Sequence, residues 1–303
     1  MRQGNQGSPV GALLRQWRLR RRLSQLELAL AAESSSRHIS YLETGRSQPS
    51  RAMVLKLCAA LDVPLRERNT VLLAAGFPPE YRESPLDDAE LASARTAWET
   101  MLAAHEPYPA VLVDRYWNVI TANRGMQLFG TAIADEVAAE PPNVYRIALY
   151  PEGPASPARM VNYRQVRKYL LERLIGQVRA TGDPALRDLY DEVSRYPLPA
   201  EPDETIDEVT PSPFSIPVRI RTAAGELRMF STTMTFGAPS DVTFAELAIE
   251  LFYPLDEATA AVLHDLAGAG GLPVGDSAQL PLSDAVPRQR GTPCSGYRST
   301  RSR

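Results

Sequence analysis

Cysteine, histidine and long apolar runs are all scarce in this 303-residue chain. Two cysteines, Cys58 and Cys294, cannot build a disulfide framework, so a reducing, cytoplasmic setting is expected. The three histidines, His38, His105 and His264, are scattered, and no His/Cys spacing suits zinc. No apolar run approaches the roughly 18 residues of a membrane span. The start, Met1-Arg2-Gln3-Gly4-Asn5, is polar and leads into no long apolar stretch, so no secretory signal is expected. Gly268-Ala269-Gly270-Gly271 has neither the preceding strand nor the following Lys of a phosphate-cradling loop. No Gly-x-Ser-x-Gly nucleophile elbow occurs. Asp203-Glu204 and Asp207-Glu208 stand in a Pro-bordered loop and read as solvated surface. Neither an enzyme nor a cofactor nor a metal site is expected.

Charge is present, but unevenly. Residues 1–78 hold 12 Arg or Lys against 5 Asp or Glu, whereas the remainder holds 21 against 31. A basic module on an acidic body points to a polyanion partner for the first part alone. Composition also divides the chain. Residues 1–9 are expected to be disordered, 10–78 to form a helical domain and 79–87, with Pro78-Pro79 and Pro85, to act as a linker. A second domain is expected over 88–267. The Gly/Pro/Ser-rich tail 268–303 cannot bury enough apolar surface to fold alone.

The first domain reads as five helices. Leu13, Leu14 and Trp17 share a face over residues 11–21, with Arg15, Arg18, Arg20, Arg21 and Arg22 around the rest. Ser24-Gln25-Leu26-Glu27 is a capping box, opening a helix whose inner face is Leu28, Ala29 and Ala32. A short break at Glu33-Ser34 leads to a helix over 35–44, stopped by Gly45, with Ile39 and Leu42 inward. Ser50 caps a fourth helix with Val54, Leu57, Cys58 and Leu61 at i, i+3, i+4 and i+7, and Pro64 opens a fifth that ends at Gly76. Two short helices joined by a tight turn in a basic domain form a helix-turn-helix, whose second helix enters the major groove of DNA.

Leu23-Ser24-Gln25-x-Glu27-Leu28-Ala29, Ile39-Ser40-x-Leu42-Glu43-x-Gly45-Arg46 and Pro49-Ser50 carry a resemblance to the phage-repressor-like (XRE) helix-turn-helix family. The resemblance implies that Ser36, Arg37 and Tyr41 face the bases, with His38 adjacent, and that Gln25, Ser35 and Arg46 hold phosphates. Arg37 suits direct readout, because a guanidinium can grip guanine O6 and N7 bidentately. Phosphate contacts fix register rather than sequence. The chain departs from the family at Arg22 and Glu33, where Gly is frequent. Either the turns differ there or left-handed strain is tolerated. Leu26 and Leu30 are expected to be exposed on the second helix, against another domain or a second subunit.

The second domain begins with a helix over 88–105 carrying Leu91, Ala94, Trp98, Met101 and Leu102. Short strands follow at 110–114 and 117–121. Helical segments are expected at 123–129, 143–149, 163–179 and 184–195. The period then changes to alternation over 214–220, 227–234 and 247–253. Two strands, a helical insertion and three more strands is the order of a PAS-like sensor. The expected fold class is therefore multidomain: a five-helix, lambda-repressor-like α domain, then an α+β PAS-like domain with a five-stranded antiparallel sheet.

Pro109-Ala110-Val111-Leu112-Val113-Asp114-Arg115-Tyr116-Trp117-Asn118-Val119, Ala122-Asn123-Arg124, Leu128-Phe129-Gly130, Tyr150-Pro151-Glu152-Gly153, Val161-Asn162-Tyr163, Gly182-Asp183-Pro184, Phe230-Ser231-Thr232, Thr235-Phe236-Gly237 and Glu250-Leu251-Phe252-Tyr253-Pro254 resemble the MmyB-like ligand-binding domain of actinobacterial-type regulators. Tyr163 stands where that family commonly has Trp. The resemblance implies a cavity for a small apolar or fatty-acid-like ligand. Candidate lining residues are Trp117, Met126, Phe129, Tyr163, Phe230, Met234 and Phe252, with Arg146 or Asn162 for a polar head group. The expected function is a DNA-binding transcription regulator that acts as a homodimer on a pseudo-palindrome and senses a small molecule. Two rivals remain open. An exposed apolar groove would favour a domain that binds a protein partner, and a catalytic triad or metal cluster would favour an enzyme with a DNA-binding arm.

Overall fold

A computed structural model describes residues 8–129, 141–151, 158–198, 216–222, 225–237 and 240–269, with backbone alone for Glu90, 127–129 and 268–269. Five helices come first: α1 (Pro9–Arg20), α2 (Gln25–Ala31), α3 (Ser36–Glu43), α4 (Arg51–Ala60) and α5 (Leu65–Ala74). Pro9 takes the first helical position, where its missing N–H costs nothing, so α1 starts inside the stretch expected to be disordered. The capping box at Ser24 forms in full: Glu27 N donates to Ser24 Oγ at 3.1 Å, and Ser24 N donates to Glu27 Oε2 at 2.6 Å. Ser35 and Ser50 cap α3 and α4 through the hydroxyl alone, accepting from His38 N and Met53 N. Val10, Leu14, Trp17, Leu28, Ile39, Leu42, Val54, Leu57 and Leu72 close one core.

The two family departures resolve toward strain. Arg22 and Glu33 adopt left-handed φ values of 56° and 44°. Each costs about 1–2 kcal/mol for a residue with a Cβ. Ser34 N still reaches Ala29 O at 2.8 Å and Leu23 N reaches Arg18 O at 3.1 Å, so both helix ends are satisfied.

A 3₁₀ turn (Ala89–Leu91) precedes α6 (Ala92–Ala104). Then come β1 (Ala110–Val113), β2 (Val119–Ala122), a 3₁₀ helix (Arg124–Phe129), α7 (Val144–Leu149), α8 (Tyr163–Thr181) and α9 (Pro184–Ser194). The chain continues through β3 (Val218–Thr222), β4 (Gly225–Thr235), α10 (Val242–Ala245), β5 (Ala248–Pro254) and α11 (Glu257–Ala269). Neither α10 nor α11 was expected from the pattern, and α11 runs to the start of the stretch assigned to a disordered tail. The strand expected over 214–220 begins at Val218; Phe214 lies outside the described residues. The sheet is antiparallel throughout, in the order β2-β1-β5-β4-β3, as a PAS-like fold requires.

Alternation along the central strands separates two cores. Val111, Val113 and Ala248 meet α7, α8 and α9, which contribute Tyr145, Leu149, Tyr163, Val166, Leu170, Leu174, Leu189 and Val193. Ala110, Leu112 and Ile249 face the other way, against Trp98 and Leu102 of α6. The stretch read as a linker is tied at both sides. Asn69 Nδ2 donates to Tyr81 O at 2.6 Å, and Ser84 N donates to Asp241 Oδ2 at 3.1 Å.

Candidate nucleic-acid interface and sensor core

Helix α3 is held from beneath and bare above. Its last residue, the buried Glu43, takes both nitrogens of a fork from Arg18 of α1 (Nε to Oε1 at 2.6 Å, Nη2 to Oε2 at 2.9 Å). The carboxylate raises the guanidinium's pKa against its burial. Arg18 Nη1 also donates to Leu23 O at 2.8 Å, and Gln25 Nε2 donates to Glu43 Oε2 at 2.9 Å. One carboxylate thus fixes α1, the start of α2 and the end of α3 together. Gly11 allows the approach. A Cβ there would stand 2.3 Å from Leu42 O and 2.8 Å from Glu43 O.

On the outer face, Ser36, Arg37 and Arg46 are exposed, and His38 and Tyr41 are half-buried. Arg37 Nε donates to Tyr41 Oη at 2.9 Å, and its guanidinium lies 5.3 Å from the ring centroid. Arg46 approaches the same ring at 5.8 Å. Two cations gathered on one aromatic ring are pre-oriented without being neutralised. Ser35 spends its hydroxyl on His38 N as the cap of α3. Gln25 sits at the base of the same surface, with one amide donor committed to Glu43. Leu26 and Leu30 on α2 are 59% and 70% exposed.

The sensor residues nominated from sequence do not form one set. Trp117, Met126 and Tyr163 gather in the core between the sheet and α7–α9. Met234 belongs with the α6 core on the other face of the sheet. Phe252 packs with Ile220, Leu227, Met229 and Leu263. Phe230 stacks on Tyr253 at 5.2 Å. The Phe129 side chain lies outside the described residues. The two polar candidates are engaged by neighbours. Arg146 forks onto Glu192 (2.8 and 2.7 Å), which draws that carboxyl's pKa down. Asn162 is fully buried, donating to Pro217 O at 2.7 Å and accepting from Arg219 N at 3.2 Å. A groove of about 310 Å³ between α8 and α9 is lined by Arg164, Arg167, Lys168, Leu171, Ile175 and Tyr190, among others, and by none of the nominated residues.

Sequence reasoning missed the polar content of the core between the sheet and α8. Glu250, on the face of the sheet toward α8, accepts from Ser231 Oγ at 3.0 Å and pairs with Arg173 of α8 at 3.5 Å. Arg173 donates to Thr233 Oγ1 at 2.6 Å and lies 4.1 Å from the Trp117 ring. Trp117 meets Tyr145 edge-on at 5.3 Å. The Tyr145 hydroxyl is wholly buried with no hydrogen-bond partner among the described residues, and burial pushes its pKa up. No pattern of periodicity marks these groups, because they come from four separate elements.

The two family models divide the chain at about this boundary. A helix-turn-helix domain matches residues 9–71, and the MmyB-like transcription regulator ligand binding domain matches 94–266. The chain belongs to the MmyB-like family. An uncharacterised HTH-type transcriptional regulator, RghRB of Bacillus subtilis (strain 168), is 40% identical over 82 residues, covering 25% of this chain and 57% of that protein. The chain thus spans little more than half the length of that relative. Among solved structures, the clp gene regulator ClgR from C. glutamicum overlays 23% of this chain and 86% of its own at 32% identity, with a TM-score of 0.21. An RNA-binding light-oxygen-voltage receptor overlays 86% and 64% at 15% identity, with a TM-score of 0.23. No described helix is long and apolar enough to cross a membrane, and no three metal-ligating side chains cluster among the described residues.

Proposed function

We propose that this MmyB-like protein is a cytoplasmic, sequence-specific DNA-binding transcription regulator, acting as a homodimer and controlled by a small molecule in its PAS-like domain. The observation that carries the reading is the outer face of α3, where Arg37 and Arg46 share the Tyr41 ring above a helix clamped by the Arg18–Glu43 fork. A firmly seated helix with pre-oriented cations on its free face suits a major groove: Arg37 and Ser36 reach base edges, while Gln25, Ser35 and Arg46 reach phosphates. Two such units on a two-fold axis read a pseudo-palindrome. In the second domain, Trp117, Met126 and Tyr163 line the side of the core that would open to a ligand. A fatty-acid-like molecule satisfies the aliphatic wall of Leu149, Leu170 and Leu174.

The test of DNA binding needs no known operator. Anisotropy of a labelled generic duplex against the full chain is expected to show log K falling linearly with log salt, as counterion release requires. Selection from a random pool is expected to return an inverted repeat. Binding without salt dependence, or no binding at low salt, removes this reading. Sensing is tested by adding decanoate: a changed affinity for the selected duplex supports a fatty-acid-like effector, and an unchanged one refutes it.

A further inference from the structure

The sensor core and the helix-turn-helix unit meet along a charged seam, and one turn touches both. Arg66 of α5 forks onto Glu246, just beyond α10, with both contacts at 2.9 Å, and also pairs with Glu83 at 2.5 Å. Arg115 donates to the same Glu246 at 2.9 Å, lies 3.7 Å from Glu67 of α5 and pairs with Asp183, the cap of α9. Arg20 of α1 donates to Thr181 O at 2.6 Å, at the end of α8.

Arg115 belongs to the link between β1 and β2, which is braced internally. Asp114 Oδ1 accepts from Tyr116 N at 2.8 Å and Asn118 N at 2.9 Å, and its Oδ2 accepts from Asn118 Nδ2 at 2.9 Å. Asn143, the cap of α7, donates to Tyr116 O at 2.8 Å. Gln177 of α8 holds the next pair: its Nε2 donates to Arg115 O at 3.1 Å, and its Oε1 accepts from Trp117 Nε1 at 2.8 Å. Trp117 itself has a φ of 67°, a conformation costly for a bulky side chain and kept only where the surroundings enforce it. That conformation directs its ring into the core, against Tyr145 and Arg173, while Arg115, two residues earlier, joins the seam.

We infer that Arg115 is the positioning residue that couples the sensor core to the DNA-binding unit, with residues 114–118 moving as one piece between Trp117 and the Glu67–Glu246 acids. A shift of the indole, by ligand or by mutation, must displace the Arg115 backbone, because Gln177 holds both. The seam then exchanges partners around Arg115, and α5 is released or drawn in. This deepens the ligand-sensing reading by naming the route, and it rests on that reading for its biological use.

The test uses the full chain without ligand or DNA, so its failure is separate from failure of the DNA-binding reading. The three tryptophans give three indole N–H resonances, with Trp117 assigned by Trp117→Phe. Glu246→Gln lies across the seam and makes no contact with the indole. It is expected to move the Trp117 resonance. In the other direction, Trp117→Phe is expected to speed amide exchange in α5 about tenfold, while α2 and α3 keep their protection. Combining Trp117→Phe with Arg115→Lys is expected to add less than the sum of the separate effects, as coupled sites do. A core residue with a merely structural role would lower the melting temperature without this directional pattern. The inference is overturned if Glu246→Gln leaves the Trp117 resonance unmoved, or if α5 exchange in Trp117→Phe matches the parent. Should Trp117→Phe fold poorly, Gln177→Leu cuts the same link at α8, and the same two outcomes decide.

Discussion

Arg37 and Arg46 flank one ring, yet their removal is expected to have different consequences. With α3 in the major groove as proposed, Arg37→Ala removes a guanidinium aimed at a base edge, so discrimination at one base pair should relax by about 1–3 kcal/mol. In the same proposed pose Arg46→Ala removes a cation assigned to a phosphate, so all sequences should weaken alike and the salt slope should fall by about 1. Binding of a selected duplex and its single-position variants across a salt series separates the two. Tyr145 makes the opposite kind of case. Its buried hydroxyl has no acceptor among the described residues, and such a group costs about 1–3 kcal/mol of desolvation. Tyr145→Phe is therefore expected to leave denaturant stability equal or higher. A loss of more than 1 kcal/mol, on the same scale, would mean that the hydroxyl is bonded in solution.

Helix boundaries in the first domain were legible because local chemistry sets them. Ser24 and Ser50 announce two N-termini and cap as expected, and Ser35, read for phosphate, caps α3 as well. Ser24→Ala should cost about 1 kcal/mol in urea denaturation. Gly11→Ala should cost more, about 1–3 kcal/mol, because its methyl collides with the backbone of α3 rather than with a flexible side chain. It should also weaken DNA binding, because Gly11 lies against the end of α3. The strands were legible by alternation, and Val166, Leu170, Leu174 and Val178 marked the buried face of α8. The four-residue α10 escaped because one turn carries no period, and α11 because its Ala-rich run lacks a clear apolar stripe. The candidate pocket was harder for a topological reason. Residues two apart share a face of a sheet, but sequence does not say which face meets which helix, so Met234 and Trp117 were grouped although the sheet divides them. Arg146 and Asn162 could not be recognised as structural without Glu192 and Pro217, which are distant in sequence.

At the scale of the whole molecule, pH should act through the seam. Burial raises the pKa of the Glu67 carboxyl despite the pull of Arg115, and its Oε2 lies buried without a hydrogen-bond partner. A carboxyl with a raised folded pKa contributes stability that is present below its unfolded pKa and is lost as pH rises through the folded value. Glu67→Gln should therefore melt higher than the parent at neutral pH, with the gap closing as pH falls through the carboxylate range. A lower melting temperature at neutral pH would show that attraction to Arg115 and Arg66 outweighs burial. The seam has one more consequence. Its hydrogen bonds join Arg20, Arg66 and Arg115 to carboxylates and a carbonyl, all of which water can also serve. Parting the two halves would therefore return these partly buried charges to water. A joint of this kind is expected to part more readily than a greasy one, because its charges regain hydration as they separate.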